Sequence, residues 1–267
     1  MNSIMECPIA PPGGWGGQKP PSGVGIDFSH PAANNLVGAW LFNEGAGQVV
    51  RDYSAQRHDA VASGTVSWIA GPLGMGMRLN GSLGYLTVVD DGFGSCFASQ
   101  VSTIIARTQS SSSTDKPIFS YDFTSHVQPY YARHLRTVAS QAYAMWNNGS
   151  TFSSLMLWNA TPTTRPFWIS SVVTSGLQKL RIDNRANTAA STNSDTITYY
   201  HQPVWIGKAN YPTSSVVDFY DLFVWNRALS QDEITCFTAR PYDMFAAGDS
   251  PALGVSSRRR RLLCGAA

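Results

Sequence analysis

The chain reads as a succession of short runs of β-branched and aromatic residues, each closed off by Gly, Ser, Asn or Pro. These runs predict strands at residues 36–42, 75–79, 85–88, 101–106, 118–123, 141–146, 154–157, 167–174, 179–183 and 204–206. Asn43-Glu44-Gly45-Ala46-Gly47 is the turn after the first run, its two glycines supplying positive φ. The last run, Val216 to Trp225, is longer. Strict alternation puts Phe219, Asp221, Phe223 and Trp225 on one face and Tyr220, Leu222 and Val224 on the other. Ser230 and Glu233 then form a capping box that starts a short helix. Many short strands with one terminal helix predict an all-β, two-sheet antiparallel sandwich.

The flanks do not share this pattern. Residues 1–35 interleave Pro8, Pro11, Pro12, Pro20 and Pro21 with Gly13, Gly14, Gly16, Gly17, Gly23 and Gly25, which suits neither a helix nor a central strand. Read alone, this leader is a mobile arm with too few apolar side chains for a core, and the surface of another molecule is needed to hold it. The sandwich occupies residues 36–240. Residues 241–267 form a C-terminal extension: the apolar plug Pro241-Tyr242-Asp243-Met244-Phe245, then a Gly/Ser/Arg tail containing the Arg258-Arg259-Arg260-Arg261 block. Tyr242, Met244 and Phe245 either pack on the sandwich edge or insert into a neighbouring subunit.

Of the 267 residues 12% are aromatic and only 13% charged, which suits a broad aromatic core under a Ser/Thr/Asn-rich surface. The net charge of +2 is too small for a general affinity for nucleic acid, and the arginine block reads as a solvated or protein-facing run. Cys7, Cys96, Cys236 and Cys264 show no CxxC spacing, which predicts four free thiols in a reducing cytoplasm and no zinc site. The first residues carry neither a basic n-region nor an apolar h-region, and no apolar run approaches the ~20 residues that span a bilayer. Neither a signal peptide nor a membrane partner is expected.

Trp40-Leu41-Phe42-Asn43-Glu44-Gly45-x-Gly47, followed by Val50-Arg51-Asp52-Tyr53-Ser54, resembles the opening of LamG-like, concanavalin A-like jelly-roll domains. Gly76-Met77-Arg78-Leu79-Asn80-Gly81 looks like their next strand pair, and Trp168-Ile169-Ser170 with Leu180-Arg181-Ile182-Asp183 is similar to a later hairpin. The run from Val216 through the capped helix is similar to their closing strand and helix. Two positions depart from the pattern: Val217 stands where a glycine usually precedes the closing strand, and Gln56-Arg57-His58-Asp59 replaces an Asn-Gly-Asn-His-like turn. The resemblance implies a concanavalin A-like jelly roll with one short C-terminal helix, to which the flanks add extended terminal arms. Asp27-Phe28-Ser29-His30-Pro31 and the exit into the arginine tail resemble LamG-like proteins of bacteriophage structural regions. That likeness implies a virion protein made in the bacterial cytoplasm, a capsid decoration (cement) or head–tail protein. It would be a homo-oligomer, with trimers natural at shell threefold points.

Candidate chemistry is sparse. Glu6, Glu44 and Glu233 are the only glutamates, so the paired carboxylates of a sandwich glycosidase are missing, and no Gly-x-Ser-x-Gly elbow marks a triad. His58, His126, His134 and His201 read as surface or strand-edge residues. The expectation is a protein that is not an enzyme and requires no cofactor. The resemblance implies a structural Ca²⁺ on Glu44, Asp52 and Asp221, hard oxygen donors of the kind that ion takes; the competing reading is that Asp52 caps its own turn. Trp146, Trp158 and Tyr211, each beside Asn or Pro, are candidates for stacking on sugar rings. Pro11, Pro12, Trp15, Pro20 and Pro21 in the leader are candidate contacts to capsid or other virion proteins, as are Tyr242, Met244, Phe245, Arg258, Arg259, Arg260 and Arg261 in the extension. Two functions follow: attachment through the arms or, as the alternative, recognition of host glycans by a lectin-like module.

Overall fold

The computed structural model describes residues 15, 17–88, 93–97, 101–109, 115–122, 131–139, 141–147, 152–157, 162, 164–174, 177–183, 185–190, 203–209 and 216–246. For residues 82, 95, 96, 122, 131, 132, 146, 147, 152–157, 189 and 190 it describes the backbone only. In chain order the strands begin with β1 (Leu36–Trp40), β2 (Val49–Val50), β3 (Ala60–Gly64), β4 (Ser67–Gly71), β5 (Gly74–Asn80), β6 (Gly84–Val88), β7 (Ser102–Gln109) and β8 (Asp115–Asp122). They continue with β9 (Tyr131–Val138), β10 (Gln141–Asn147), β11 (Phe152–Leu157), β12 (Phe167–Val173), β13 (Leu177–Ile182), β14 (Arg185–Ala190), β15 (Val204–Ile206) and β16 (Val216–Trp225), and helix α1 (Gln231–Ala239) follows. Every run read as a strand falls on one of these.

The strands form two antiparallel sheets. The first runs β14-β13-β12-β7-β16-β5-β4, with β1 also paired to β16; the second runs β11-β10-β9-β8-β15-β6-β3-β2. Trp40, Phe42, Leu79, Leu86, Ile104 and Phe119 belong to the core between them. Phe42 stacks on Phe219 at 5.7 Å, and Trp40 meets Phe93 edge-on at the same distance. The architecture is the two-sheet antiparallel sandwich that the sequence predicts.

A second apolar layer covers the outer face of the first sheet. Ile105, Val172, Phe223 and Trp225 on that face meet Val24 and Ile26 from the leader, Ile234 and Phe237 from α1, and Met244 and Phe245 from the exit. Phe237 sits edge-on to both Phe223 and Trp225, at 4.9 and 5.0 Å. With both faces buried, β7 and most of β16 are buried continuously rather than on alternate positions. The capping box is present: the Ser230 hydroxyl accepts from the Glu233 amide at 3.1 Å, and the Glu233 carboxylate accepts from the Ser230 amide at 2.8 Å.

Two expectations are corrected here. A bulge in β16, where pairing with β7 jumps from Phe219 to Asp221, removes Tyr220 from the register. The faces therefore exchange: Phe219, Leu222 and Val224 point into the inter-sheet core, while Phe223 and Trp225 point outward. The second correction concerns the leader. From Trp15 onward the described leader folds onto its own sandwich: Ile26 bridges to Phe245, the Asp27 amide donates to Met244 O at 2.8 Å, and Trp15 Nε1 donates to Phe245 O at 3.2 Å. No foreign surface is needed to hold this part.

Candidate functional site

The leader's closest engagement is electrostatic. β16 changes neighbours along its length: residues 216–219 pair with β5 and residues 222–225 with β1. Lys19 enters the sheet at that splice. Its ammonium donates to Leu41 O at 2.6 Å, Met75 O at 2.5 Å and the Tyr220 carbonyl at the bulge, engaging all three N–H donors. The Asp221 carboxylate lies 3.9 Å from the ammonium and 2.5 Å from Arg107 Nη2. It also accepts from the Tyr242 hydroxyl at 3.0 and 3.1 Å. The side chains of Lys19 and Asp221 are 3% and 0% exposed. Burial pulls the Lys19 ammonium down to about 8, with the Asp221 charge pulling it partly back. Burial, then the Asp221 charge, pushes the Tyr242 phenol up. Close approach at the bulge requires Gly76, because a Cβ there would lie 2.7 Å from Phe219 O.

The residues proposed for Ca²⁺ do not fit it. Among the described residues no three His, Cys, Asp or Glu side chains form a metal-holding group. A cation at Asp221 would face Lys19 and Arg107. Asp52 is saturated by its own turn: Oδ1 accepts from the Ala39 and Ser54 amides, both at 2.8 Å, and Oδ2 from the Ser54 hydroxyl at 2.7 Å and the His58 amide at 2.9 Å. Glu44 accepts from the Arg51 amide at 2.8 Å across its turn. Three separate hydrogen-bond networks stand where one cluster was expected.

The second sheet holds a buried histidine where the sequence predicts a surface or strand-edge residue. His134 on β9 is 2% exposed, its Nδ1 2.8 Å from the Ser120 hydroxyl on the neighbouring β8. Burial, and secondarily the Arg136 charge, lowers its pKa to about 3. The unfolded chain takes up a proton below about 6.5 while the folded one does not until about 3, so stability is complete above 6.5 and falls as pH falls through that window. At pH 5 the expected loss is about 2 kcal/mol relative to pH 7.5. Urea unfolding at the two pH values checks it: the loss shrinks in His134→Gln, and an equal loss in both proteins would refute the assignment.

Unlike the first sheet, the second leaves part of its outer face open. Val49, Val61, Thr87 and Trp205 form one cross-strand row there, and Val49 and Val61 are 43% and 42% exposed. Tyr85 stands two residues before Thr87 on the same face and so lies diagonal to Trp205. Gly207, at φ +79° and with Leu79 where a Cβ would go, turns the chain after β15. Lys208 is thereby returned over the face, its ammonium 4.0 Å from the Tyr85 ring centroid and 4.7 Å from that of Trp205. All three side chains are half-buried. Two aromatic rings, an ammonium held between them and an apolar flank make a shallow surface on which, among the described residues, no nucleophile stands beside an acid–base pair.

The sugar-stacking candidates named from sequence do not include this set. Trp158 and Tyr211 lie outside the described residues, as does the Trp146 side chain on β10. Pro11, Pro12 and Arg258 to Arg261 also lie outside them. Trp15, Pro20, Tyr242, Met244 and Phe245 are half-buried or buried against the chain's own body, and Pro21 is exposed. Cys236 is disulfide-bonded, contrary to the expectation of four free thiols, and its partner sulfur is not among the described side chains.

No protein-family model matches the sequence, and no curated protein matches it. Solved structures do. The receptor binding domain of a botulinum neurotoxin C/D mosaic serotype superposes with a TM-score of 0.62 at 12% identity, over 76% of this chain and 50% of that one. A botulinum neurotoxin type C structure concerned with interaction with two ganglioside molecules gives 0.62 at 12%, over 78% and 51%. The binding domain of botulinum neurotoxin DC in complex with SialylT gives 0.62 at 10%, over 78% and 52%. The likeness establishes the fold. The chain spans about half the length of these domains.

Proposed function

We propose that this protein is a lectin-like, carbohydrate-binding module that does no catalysis and uses the open outer face of the second sheet. The Tyr85–Lys208–Trp205 set carries the reading. A sugar ring presents C–H faces that pack on aromatic rings, and hydroxyls or acidic groups that accept from an ammonium. Strand-borne rings arrive pre-oriented, so little side-chain entropy is lost on binding. The fold neighbours support the same reading, two of them being described with gangliosides or SialylT. The virion-attachment reading has less support, because its leader and exit contacts Trp15, Tyr242, Met244 and Phe245 are engaged within the chain.

A glycan array probed with the purified chain, followed by titration of the best ligand, tests the proposal. Trp205→Ala is expected to weaken binding about tenfold or more, and Lys208→Ala to weaken acidic glycans more than neutral ones. An array with no saturable ligand, or a ligand indifferent to Trp205 and Tyr85, would refute it.

A further inference from the structure

The Lys208 ammonium and a stacked sugar compete for the same ring faces. At 4.0 Å from the Tyr85 centroid and 4.7 Å from that of Trp205, the ammonium stands over both rings, in the space that the C–H face of a pyranose would fill. The backbone that puts it there is fixed. The Gly207 amide donates to Ile118 O at 3.3 Å, a Cβ on Gly207 would meet Leu79 at 2.6 Å, and Ala209 on the other side is buried. The side chain is held far less firmly. Lys19 has all three N–H donors on carbonyls, whereas Lys208 forms no hydrogen bond or ion pair among the described residues, and the two rings are what hold its ammonium.

On the carbohydrate-binding reading, we infer that Lys208 determines the ligand class of this face: its ammonium covers the two rings in the free protein, leaves them for the acid group of an anionic glycan, and obstructs a neutral one. A half-exposed cation–π contact is worth about two- to fivefold in an equilibrium constant, so the rings are uncovered in about one-sixth to one-third of molecules. Only that fraction is competent for a neutral sugar, and its affinity falls about three- to sixfold. An acidic sugar instead offers the ammonium a carboxylate or sulfate oxygen. That charge-assisted hydrogen bond is worth about 10- to 100-fold, more than the contact it replaces. The exchange needs only rotation about side-chain bonds, so the sheet beneath does not rearrange.

The test takes the strongest acidic ligand on the glycan array and the same glycan made neutral, its carboxylate amidated or its sulfate removed. Both are titrated into the full-length protein and into Lys208→Ala. The native chain is expected to bind the acidic form about tenfold or more tightly than the neutral one, an advantage that shrinks as salt rises. Lys208→Ala should lose that preference from both sides. The acidic form weakens severalfold, and the neutral form tightens about three- to sixfold because the rings are uncovered. The gain for the neutral glycan is the deciding sign: a lysine that merely touched the sugar would give a loss or no change there, and either result overturns the inference. An array that binds only neutral glycans, or a neutralised ligand that binds as tightly as its acidic parent, overturns it too and leaves the carbohydrate-binding reading standing. An array with no saturable ligand removes both. Lys208→Arg keeps the charge and should keep the preference for the acidic form; if it behaved as Lys208→Ala does, charge would not be what selects the ligand.

Discussion

Replacing Asp221 with Asn is expected to lower the unfolding free energy by about 3–5 kcal/mol, the largest loss expected from any charge substitution among the described residues. Asp221 is fully buried and is the counter-ion shared by Arg107 and Lys19. The amide keeps its volume but loses its charge, leaving Arg107 without its counter-ion and Lys19 with only the weaker pull of Glu44 against burial. Arg107 retains its position over the Trp168 ring at 5.1 Å, worth far less than the ion pair it loses. Breaking such a pair is costly because the remaining charge cannot return to water while the fold persists. Urea unfolding at pH 7 measures the change as a lower midpoint at unchanged slope. Lys19→Met separates the two halves of the network, leaving Arg107–Asp221 intact while Leu41 O, Met75 O and the Tyr220 carbonyl lose their common donor. Its cost should approach that of Asp221→Asn, since buried carbonyls without donors are each worth about 1–3 kcal/mol. A loss below about 1 kcal/mol in both variants would mean that water replaces the ammonium and the splice is solvated.

What could be read from sequence follows the range of the interaction. The runs that alternate or are continuously apolar became strands because their pattern is local, and the Ser230–Glu233 box was legible for the same reason. β9 was missed because Tyr131–Val138 carries Arg133, His134 and Arg136, and β14 because Arg185–Ala190 has no apolar periodicity. Buried basic residues do not look buried until their partners are known. The bulge at Tyr220 exchanged the faces of β16 because one extra residue shifts a period-two pattern, and nothing in the sequence marks it. Lys19 is the extreme case: it sits among Gly and Pro, and only the geometry of three distant carbonyls assigns it a place. The Tyr85–Lys208–Trp205 set is not marked by turn residues, because Tyr85 and Trp205 are mid-strand and meet only when β6 pairs with β15. The available signal was the exposed phase of alternation, Tyr85 between Gly84 and Leu86 and Trp205 between Val204 and Ile206.

Deleting residues 1–35 is expected to abolish cooperative folding. A dispensable arm would leave the sandwich's transition intact, so the outcome separates the two views of the leader. The deletion removes the Lys19 ammonium from the splice and strips Val24, Ile26 and Ala33 from the second layer. Burying a Val or Ile side chain is worth about 1.5–3 kcal/mol, so those two and Lys19 together approach 6–10 kcal/mol. That is comparable with the whole stability of a domain of this kind, about 5–15 kcal/mol. Polar groups are stranded as well: Trp225 Nε1 loses Ala32 O at 2.8 Å, the Asn226 amide loses Asn35 O at 3.1 Å, and Arg227 Nε loses Asn34 O at 2.9 Å. The truncated chain should therefore show no sharp thermal transition, lose its near-ultraviolet circular dichroism and bind a hydrophobic dye. A milder deletion ending at residue 14 keeps Lys19 and the apolar contacts and should retain a cooperative transition. If the 1–35 deletion melted as sharply as the full chain and within a few degrees of it, the leader would be an appendage after all, and the Lys19–Asp221 splice would contribute little to holding the first sheet together.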